Sequence, residues 1–115
     1  MCNASLSNYG WASVIVSEYI DINNLTVYKI GKIGILVGNA HFTNSVGTST
    51  EIFRLPDKYK PKYNYTFMMS HQVNAMVLQY CYIDVNGIAK TWSNNAFLDQ
   101  DYWFLMSPVV YVCSS

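Results

Sequence analysis

The chain has 115 residues, of which 51% are hydrophobic and only 12% are charged, and its formal net charge is zero because seven acids balance seven bases. That length allows one domain with its own core, and the neutral balance argues against general nucleic-acid binding, which needs a positive surface. No apolar run approaches the roughly 20 residues of a membrane span, and the N-terminus lacks the basic start and apolar core of a signal peptide.

Short runs of aromatic and β-branched residues, ended by Gly, Asn, Asp or Pro, predict an all-β domain. The first predicted strand covers residues 11–20 and ends in a polar turn at residues 21–24. Two short runs follow, at 25–30 and 33–37, on either side of Gly31. They form either a tight hairpin or one strand kinked at Gly31. The kinked strand is favoured, because each arm is short for a useful hairpin.

Further strands are predicted at residues 50–55, 63–69, 73–84, 88–92 and 102–112. Asn86 and Gly87 form an Asn-Gly pair, which predicts a tight hairpin turn with positive φ at the glycine. Pro108 limits the last strand to a sheet edge, a bulge or a break. About eight antiparallel strands, without a repeat or a linker, predict a single domain over residues 1–115. Its expected fold is a two-sheet β-sandwich of jelly-roll type.

The apolar run at residues 73–83 is apolar on both faces when written as a strand. One face carries Tyr80 and Tyr82, and the other carries Cys81, with Gln79 as its only polar member. A sandwich strand with one face in water should alternate more clearly. The pattern predicts that one face meets the core and the other a neighbouring subunit. The low charge fits such an interface, although a surface rich in Asn, Ser, Thr and Tyr explains it as well.

The three cysteines form an odd set without metal-ligand spacing. Cys81 lies in an apolar run, which predicts a buried, inert thiol. Cys2 and Cys113 lie near the two ends, and the sequence leaves open whether they pair. No metal and no cofactor are expected.

Residues 55–67 read LPDKYKPKYNYTF and contain three of the seven cationic residues. Pro56 and Pro61 fix their own φ and keep the residue before each one extended, so this segment is predicted to be a stiff crossover between two strands. Tyr59 and Tyr63 are expected to cover the end of the sandwich, with lysine stems lying along that surface. A charged binding patch is the weaker alternative, because three lysines on a neutral domain produce only a modest field.

Three motifs and one tyrosine occur in a characteristic order: VYKIGKIGILV at residues 27–37, LPDKYKP at 55–61, IDVNGI at 83–88, and Tyr111. Over residues 25–112 the chain thereby resembles the distal domains of tailed-bacteriophage tail fibres and receptor-binding proteins. The resemblance implies a homotrimer at the tip of a longer fibre protein that contacts the host surface, often a saccharide. The sequence departs from the family pattern at Lys58, where glycine is frequent, and residues 11–20 match no motif. Ligand sites in the family vary too much for any binding residue to be carried over.

The segment WSNNAFLDQDY, residues 92–102, combines the two kinds of side chain that bind sugars. Aromatic faces cover sugar C–H groups, while amides and carboxylates bond hydroxyls, and binding residues concentrate on loops of a rigid scaffold. The candidate saccharide-binding residues are Trp92, Asn94, Asn95, Asp99, Asp101 and Tyr102. The alternative interpretation places Trp92 and Trp103 in the core or an interface and leaves the two acids on a solvated loop. His41 with the loop at 44–50 is a second candidate.

No nucleophile elbow and no His-Glu-x-x-His sequence is present, so no catalytic residue is expected. The predicted function is a non-catalytic adhesin at the tip of a phage or prophage tail fibre, made in the bacterial cytoplasm and facing outwards on the virion. One alternative is a structural domain that trimerises or caps a fibre. Another is a bacterial trimeric surface domain of the tumour-necrosis-factor-like kind. A sugar-modifying esterase is the enzymatic alternative and lacks a visible nucleophile and base.

Overall fold

The computed structural model describes residues 9–43, 46–72, 78–92 and 102–115. They form β1 (Tyr9–Ser13), β2 (Ile15–Val16), β3 (Ile20–Ile30), β4 (Ile33–Phe42), β5 (Glu51–Arg54), β6 (Tyr65–His71), β7 (Leu78–Ile83), β8 (Ile88–Thr91) and β9 (Tyr102–Val112). A short 3-10 helix, Asp57–Tyr59, lies between β5 and β6. No helix in these four ranges is long and apolar enough to cross a membrane. The predicted all-β class is confirmed.

All nine strands pair antiparallel in one sheet, in the order β1-β3-β4-β9-β6-β7-β8-β5-β2. The two end strands, β1 and β2, are consecutive in the chain and separated only by Val14. Because β1 pairs with β3 and β2 pairs with β5, the sheet curls until it nearly closes into a barrel. The prediction of about eight strands in two sheets is corrected accordingly.

The chain turns from one end strand to the other at Val14, whose side chain is buried. The Val14 N–H donates to the Leu25 carbonyl at 3.4 Å, and the Asn23 amide donates to the Val14 carbonyl at 3.1 Å. The single strand predicted over residues 11–20 is therefore divided in two. The bonds from β3 hold the corner, so that each half can pair with a different neighbour.

The polar stretch at residues 21–24, predicted as a turn, lies inside β3. Asn23 explains the difference. Its side-chain oxygen accepts a hydrogen bond from the Leu25 N–H at 2.9 Å, which is the local backbone bonding typical of Asn in turns. Here that bonding occurs within a strand, and the turn falls earlier, at residues 18–19.

β3 and β4 form a hairpin that is paired from Ile30 and Ile33 at the turn to Ile20 and Phe42 at its open end. Gly31 has a φ of +60°, as the first residue of a two-residue type II′ turn requires. The favoured prediction of one kinked strand is wrong. The arms have 11 and 10 residues, because the polar stretch extends β3, and arms of that length stabilise a hairpin.

The Asn-Gly turn between β7 and β8 is confirmed, since Gly87 has a φ of +78°. The Gly87 N–H donates to the Asp84 carbonyl at 2.9 Å. The Asp84 carboxylate accepts hydrogen bonds from the N–H groups of Asn86 and Ile88, at 2.9 and 3.1 Å. The Asp84 side chain therefore stabilises the turn through hydrogen bonds to its backbone. Gly87 adopts the left-handed conformation at the last position of the turn.

We expect Gly87→Val to destabilise the domain by about 1–3 kcal/mol, because a β-branched residue is strained at positive φ. A Cβ at this position would also lie 3.1 Å from Lys60 Cγ and 3.3 Å from the Leu55 carbonyl oxygen. The melting temperature, followed by circular dichroism, should fall by about 4 °C or more. Gly87→Asn is the matched control, since Asn tolerates this conformation better. Equal melting temperatures for Gly87→Val and the wild type would contradict the turn assignment.

The last strand, β9, is paired on both sides, with β4 and with β6. The register with β4 shifts where Leu36 pairs with Val109 and Gly38 with Met106. This shift leaves two residues of β9, one of them Pro108, opposite a single residue of β4. Of the three outcomes predicted for Pro108, the bulge is the one that occurs, which lets proline lie within an interior strand without breaking it.

Strand β7 alternates as its sequence predicts: Gln79, Cys81 and Ile83 point into the barrel, and Tyr80 points out. Cys81 is fully buried, and burial raises the pKa of its thiol. Its predicted inertness is therefore supported, because the thiolate is the reactive form. Cys113 is also a buried free thiol, while Cys2 lies outside the described residues.

The two ends of the barrel differ. The crossover end contains the β3–β4 turn, the segment at residues 55–64 and residues 113–115, whereas the loop end lies where β4, β6 and β8 finish and β9 begins. At the crossover end, Tyr59 is buried and Tyr63 is 56% exposed. The Tyr111 hydroxyl donates to the Tyr59 carbonyl at 2.6 Å. Tyr59 covers this end of the barrel as predicted, and Tyr63 does not.

Candidate functional site

The predicted saccharide-binding segment joins β8 to β9 at the loop end of the barrel. Four of its six candidate residues lie outside the described residues, namely Asn94, Asn95, Asp99 and Asp101. Trp92 follows β8 directly, and Tyr102 is the first residue of β9, paired with Phe42 of β4. The two candidates that the structure describes are thus the residues at which the segment joins β8 and β9.

Trp92 is 48% exposed, which contradicts the alternative that it belongs to the core. Its backbone N–H donates to the Tyr80 carbonyl at 2.7 Å, so the residue continues the pairing of β8 with β7 for one position. This bond holds the backbone of Trp92 while the indole ring keeps much of its surface in solvent. An exposed aromatic ring on a fixed backbone is suited to stacking on a ligand.

Trp92 belongs to a surface that we call the aromatic face, on the outer side of β6, β7 and the end of β8. Its members are Asn64, Thr66, Met68, Tyr80, Tyr82 and Trp92. Thr66 pairs with Tyr82 and Met68 with Tyr80 across the strands. Met68 and Tyr80 are 42% and 41% exposed, so large apolar side chains lie side by side in contact with water.

Two adjoining shallow grooves cross the aromatic face, with volumes of about 290 and 330 Å³. Both are lined by Thr66 and Trp92. Tyr82 lines the first and Tyr80 the second. Their size matches the lower end of small-molecule sites. Aromatic and threonine side chains along one groove can cover the apolar face of a ligand and still bond a hydroxyl.

Gln79 is a positioning residue that the sequence interpretation missed. Its side chain is fully buried, and its amide donates to the carbonyls of Tyr80 and Trp92 at 2.9 and 3.5 Å. A buried amide needs such partners, and here they belong to two residues of the aromatic face. The signal was present in the sequence as the single polar side chain on the inward face of β7.

The second candidate, His41, lies on β4 at the loop end. Its Nδ1 atom is 2.6 Å from Asp21 Oδ1, and its ring centre is 5.1 Å from that of Trp103 on β9. Nearby, the Asn39 amide donates to Gln72 Oε1 at 3.2 Å. A carboxylate, an imidazole, two amides and an indole thus share one outer surface, which provides donors and acceptors for hydroxyl groups.

The loop that was grouped with His41 has a role of its own. Its described part, residues 46–50, is tied to the end of β8: the Thr50 N–H donates to the Thr91 hydroxyl at 3.1 Å, and the Ser49 N–H donates to the Thr91 carbonyl at 2.9 Å. Val46 is buried. This part of the loop therefore packs on the barrel and stabilises the end of β8, directly before Trp92.

Trp92 of the aromatic face directly precedes residues 93–101 in the chain, and Trp103, beside His41, follows them after Tyr102. The sequence analysis had grouped Trp92 and Tyr102, at the two ends of this segment, in a single site. Within the described ranges, no group of three or more His, Cys, Asp or Glu side chains could hold a metal ion. The arrangement offers stacking and hydrogen bonding to a neutral, hydroxyl-rich ligand.

The site is thus an exposed aromatic surface along the outer side of β6, β7 and the end of β8 in an all-antiparallel, nearly closed barrel. The chain is similar to the receptor binding protein (gp15) of Listeria phage PSA, with a TM-score of 0.70 over 97% of this chain and 70% of that one. The two sequences are 16% identical, so the likeness is one of fold. No family model matches the chain, and no curated protein matches it.

Proposed function

We propose that this chain is a receptor-binding domain of a phage or prophage tail. The observation that carries the proposal is the fold, which is similar over 97% of the chain to a phage receptor binding protein. The order of the motifs at residues 27–37, 55–61 and 83–88 supports it independently, because motif order and overall fold are different kinds of observation. On this proposal the domain lies on the virion tail, as the tip of a longer fibre protein.

The proposed activity is adhesion to a host-surface saccharide, without catalysis. The aromatic face supports it, because Trp92 and Tyr80 present rings to solvent beside grooves of about 290 and 330 Å³. Residues 93–101 follow Trp92 directly in the chain, and their polar side chains would bond hydroxyls. A site of this kind is weak alone, since a hydrated sugar gives up good bonds to water.

Weak sites become effective when several are linked, and we propose a homotrimer for that reason. A second surface, which we call the apolar face, supports self-association, and we propose it as the interface in place of the outer face of β7, which the sequence had assigned to a neighbouring subunit. It runs over the outer sides of β1, β3, β4 and β9, and its members are Tyr9, Trp11, Tyr28, Ile30, Ile33, Ile35, Val110 and Val112. Trp11 is 66% and Val110 61% exposed. A continuous apolar surface of this kind usually marks an interface.

We expect light scattering to give three times the 13.1 kDa chain mass at micromolar concentration. Ile30→Lys combined with Val110→Lys should dissociate the trimer, because two buried unpaired charges cost several kcal/mol at an interface. Leu105→Lys is the matched control, since Leu105 is 48% exposed on β9 but lies outside the apolar face. A wild-type mass of one chain would refute the trimer, and dissociation by the control variant alone would move the interface elsewhere on β9.

The direct test of function is binding of the labelled wild-type domain to a panel of bacterial cells and to a glycan array. We expect saturable binding to some strains, competed by the saccharide that binds on the array. Failure to bind cells, with trimer formation intact, would favour the alternative of a structural trimerisation or capping domain. A collagen-like Gly-x-y repeat in the parent protein would instead favour the tumour-necrosis-factor-like surface domain.

A further inference from the structure

The charges of this neutral chain are separated along the barrel. Six of its seven Lys and Arg residues lie at or near the crossover end, namely Lys29, Lys32, Arg54, Lys58, Lys60 and Lys62. Only Lys90 lies elsewhere, on β8. Two of the acids, Asp57 and Asp84, share the crossover end, and Glu51 is paired with Arg54 at 2.6 Å, while Glu18 and Asp21 lie towards the loop end. Although the net charge of the chain is zero, the crossover end therefore has an excess of positive charge.

Within that end, three exposed lysines converge around the last described residues. Lys32 lies in the β3–β4 turn, and its carbonyl accepts from the Cys113 N–H at 2.7 Å. Lys62, on the other side of the same strand, donates its N–H to the Val112 carbonyl at 2.8 Å. Lys58 lies across β1, where a Cβ added at Gly10 would be 3.2 Å from its ammonium nitrogen. We call Lys32, Lys58 and Lys62 the lysine patch.

Buried beneath the patch, Lys29 fixes its shape. Its side chain is only 3% exposed, and its ammonium group donates to the carbonyls of Lys58 and Ser115 at 3.1 and 2.7 Å. A buried ammonium needs such acceptors. Lys29 therefore holds the crossover, β3 and residues 113–115 together beneath the three exposed lysines.

The patch is not neutralised by carboxylates of the described chain. The carboxylates of the described residues that contact basic side chains are Asp21 with His41, Glu51 with Arg54 and Asp57 with Lys60. The three lysines of the patch take part in none of these contacts. Like charges held close together without counter-charges repel one another, so an anionic partner would be stabilised at this surface.

We propose that the lysine patch is a docking surface for an acidic polypeptide segment. β1 begins at the crossover end, where Tyr9 pairs with Ile30, so the first described residue lies at the same end of the barrel as the patch. A segment held nearby has a high effective concentration and needs only a few weak ion pairs to dock. Residues 1–8 contain no acid, so the segment belongs to another part of the parent protein.

Lysine chemistry and the overall charge favour a carboxylate partner over a phosphate polymer. The patch has no arginine fork for bidentate binding of phosphate, since Arg54 is engaged with Glu51 through two bonds of 2.6 and 3.0 Å. Zero net charge also gives no long-range attraction for nucleic acid. Ammonium groups spaced around a strand end match carboxylates spaced along an extended peptide.

The test uses fluorescence anisotropy of a labelled peptide with six glutamates, titrated with the full chain at low and at physiological salt. We expect binding at low salt that weakens as salt rises. The triple substitution Lys32→Gln, Lys58→Gln and Lys62→Gln should weaken it by about fivefold or more, as the loss of three exposed ion pairs implies. The melting temperature of the variant should stay close to that of the wild type, because all three side chains are exposed.

The matched control replaces the other three cations that are not buried, in the triple variant Arg54→Gln, Lys60→Gln and Lys90→Gln, and removes the same charge. It should keep most of the affinity. An equal loss in both triple variants would overturn the proposal, because overall charge alone would then explain binding. Tighter binding of a polyphosphate of equal charge would also overturn it and indicate a phosphate partner. No binding of the glutamate peptide at low salt would show that the patch is not a docking surface.

Discussion

A Gly38→Ala variant is expected to lose about 2–6 kcal/mol of unfolding free energy. Gly38 lies in β4 with a φ of +125°, and a Cβ there would be 2.0 Å from the backbone oxygen of Asn24 in the neighbouring strand. Strain at such a φ costs about 1–3 kcal/mol, and overpacking against a rigid neighbour adds about 1–3 kcal/mol. Together they consume much of the about 5–15 kcal/mol that stabilises a typical domain.

Gly31→Ala is the matched control for that prediction. Gly31 also has a positive φ, +60°, but a Cβ there would meet nothing within 4 Å. It should therefore lose about 1 kcal/mol, the cost of the left-handed conformation alone, and remain folded. Urea unfolding followed by tryptophan fluorescence gives both values. Similar losses of unfolding free energy in Gly38→Ala and Gly31→Ala would mean that β3 and β4 do not approach as closely at Gly38 as described.

The second large effect concerns binding: Trp92→Ala combined with Asp99→Ala should abolish attachment to host cells while leaving the fold intact. Loss of the indole stacking surface costs about tenfold per site, equal to about 1.4 kcal/mol. In a trimer with three sites engaged at once the losses multiply, to about a thousandfold. Attachment of labelled protein to cells measures the effect, and circular dichroism checks the fold.

Two further variants make that result specific. Tyr63→Ala removes an aromatic ring that is 56% exposed at the opposite end of the barrel, and it should leave attachment unchanged. Trp103→Ala tests the surface around His41, which would be the true site if this variant alone lost attachment. Unaltered attachment of the Trp92→Ala, Asp99→Ala protein would exclude the aromatic face, and its unfolding would make Trp92 structural.

Local signals predicted the parts of the fold that depend on neighbouring residues. Gly87 has its positive φ, Cys81 is buried and Pro108 lies at a bulge, because each of these depends on the residue's own geometry or hydrophobicity. The division of the first strand at Val14 was missed, since its cause is a bond from Asn23, nine residues away in the chain. Strand partners depend on contacts of this kind, which no local pattern contains.

The candidate site was predicted by residue type and only partly by position. Trp92 is exposed at the loop end as a binding residue should be, but its described neighbours, Tyr80 and Tyr82, come from another strand. Their outward direction followed from the alternation of β7, whereas their pairing with β6 did not. Gln79 was visible as an anomaly, and only the structure connects its amide to the backbone of Trp92.

The interior position of β9 has a consequence for biosynthesis. Of the nine described strands, β9 leaves the ribosome last, yet it joins β4 to β6 in the middle of the sheet, with Val112 paired to Ile33 from far earlier in the chain. Until it arrives, β4 and β6 each present an unpaired edge, which invites association with other nascent chains. Such long-range pairing also makes folding slow. Expression at low temperature, or with chaperones that shield strand edges, should therefore raise the yield of native protein.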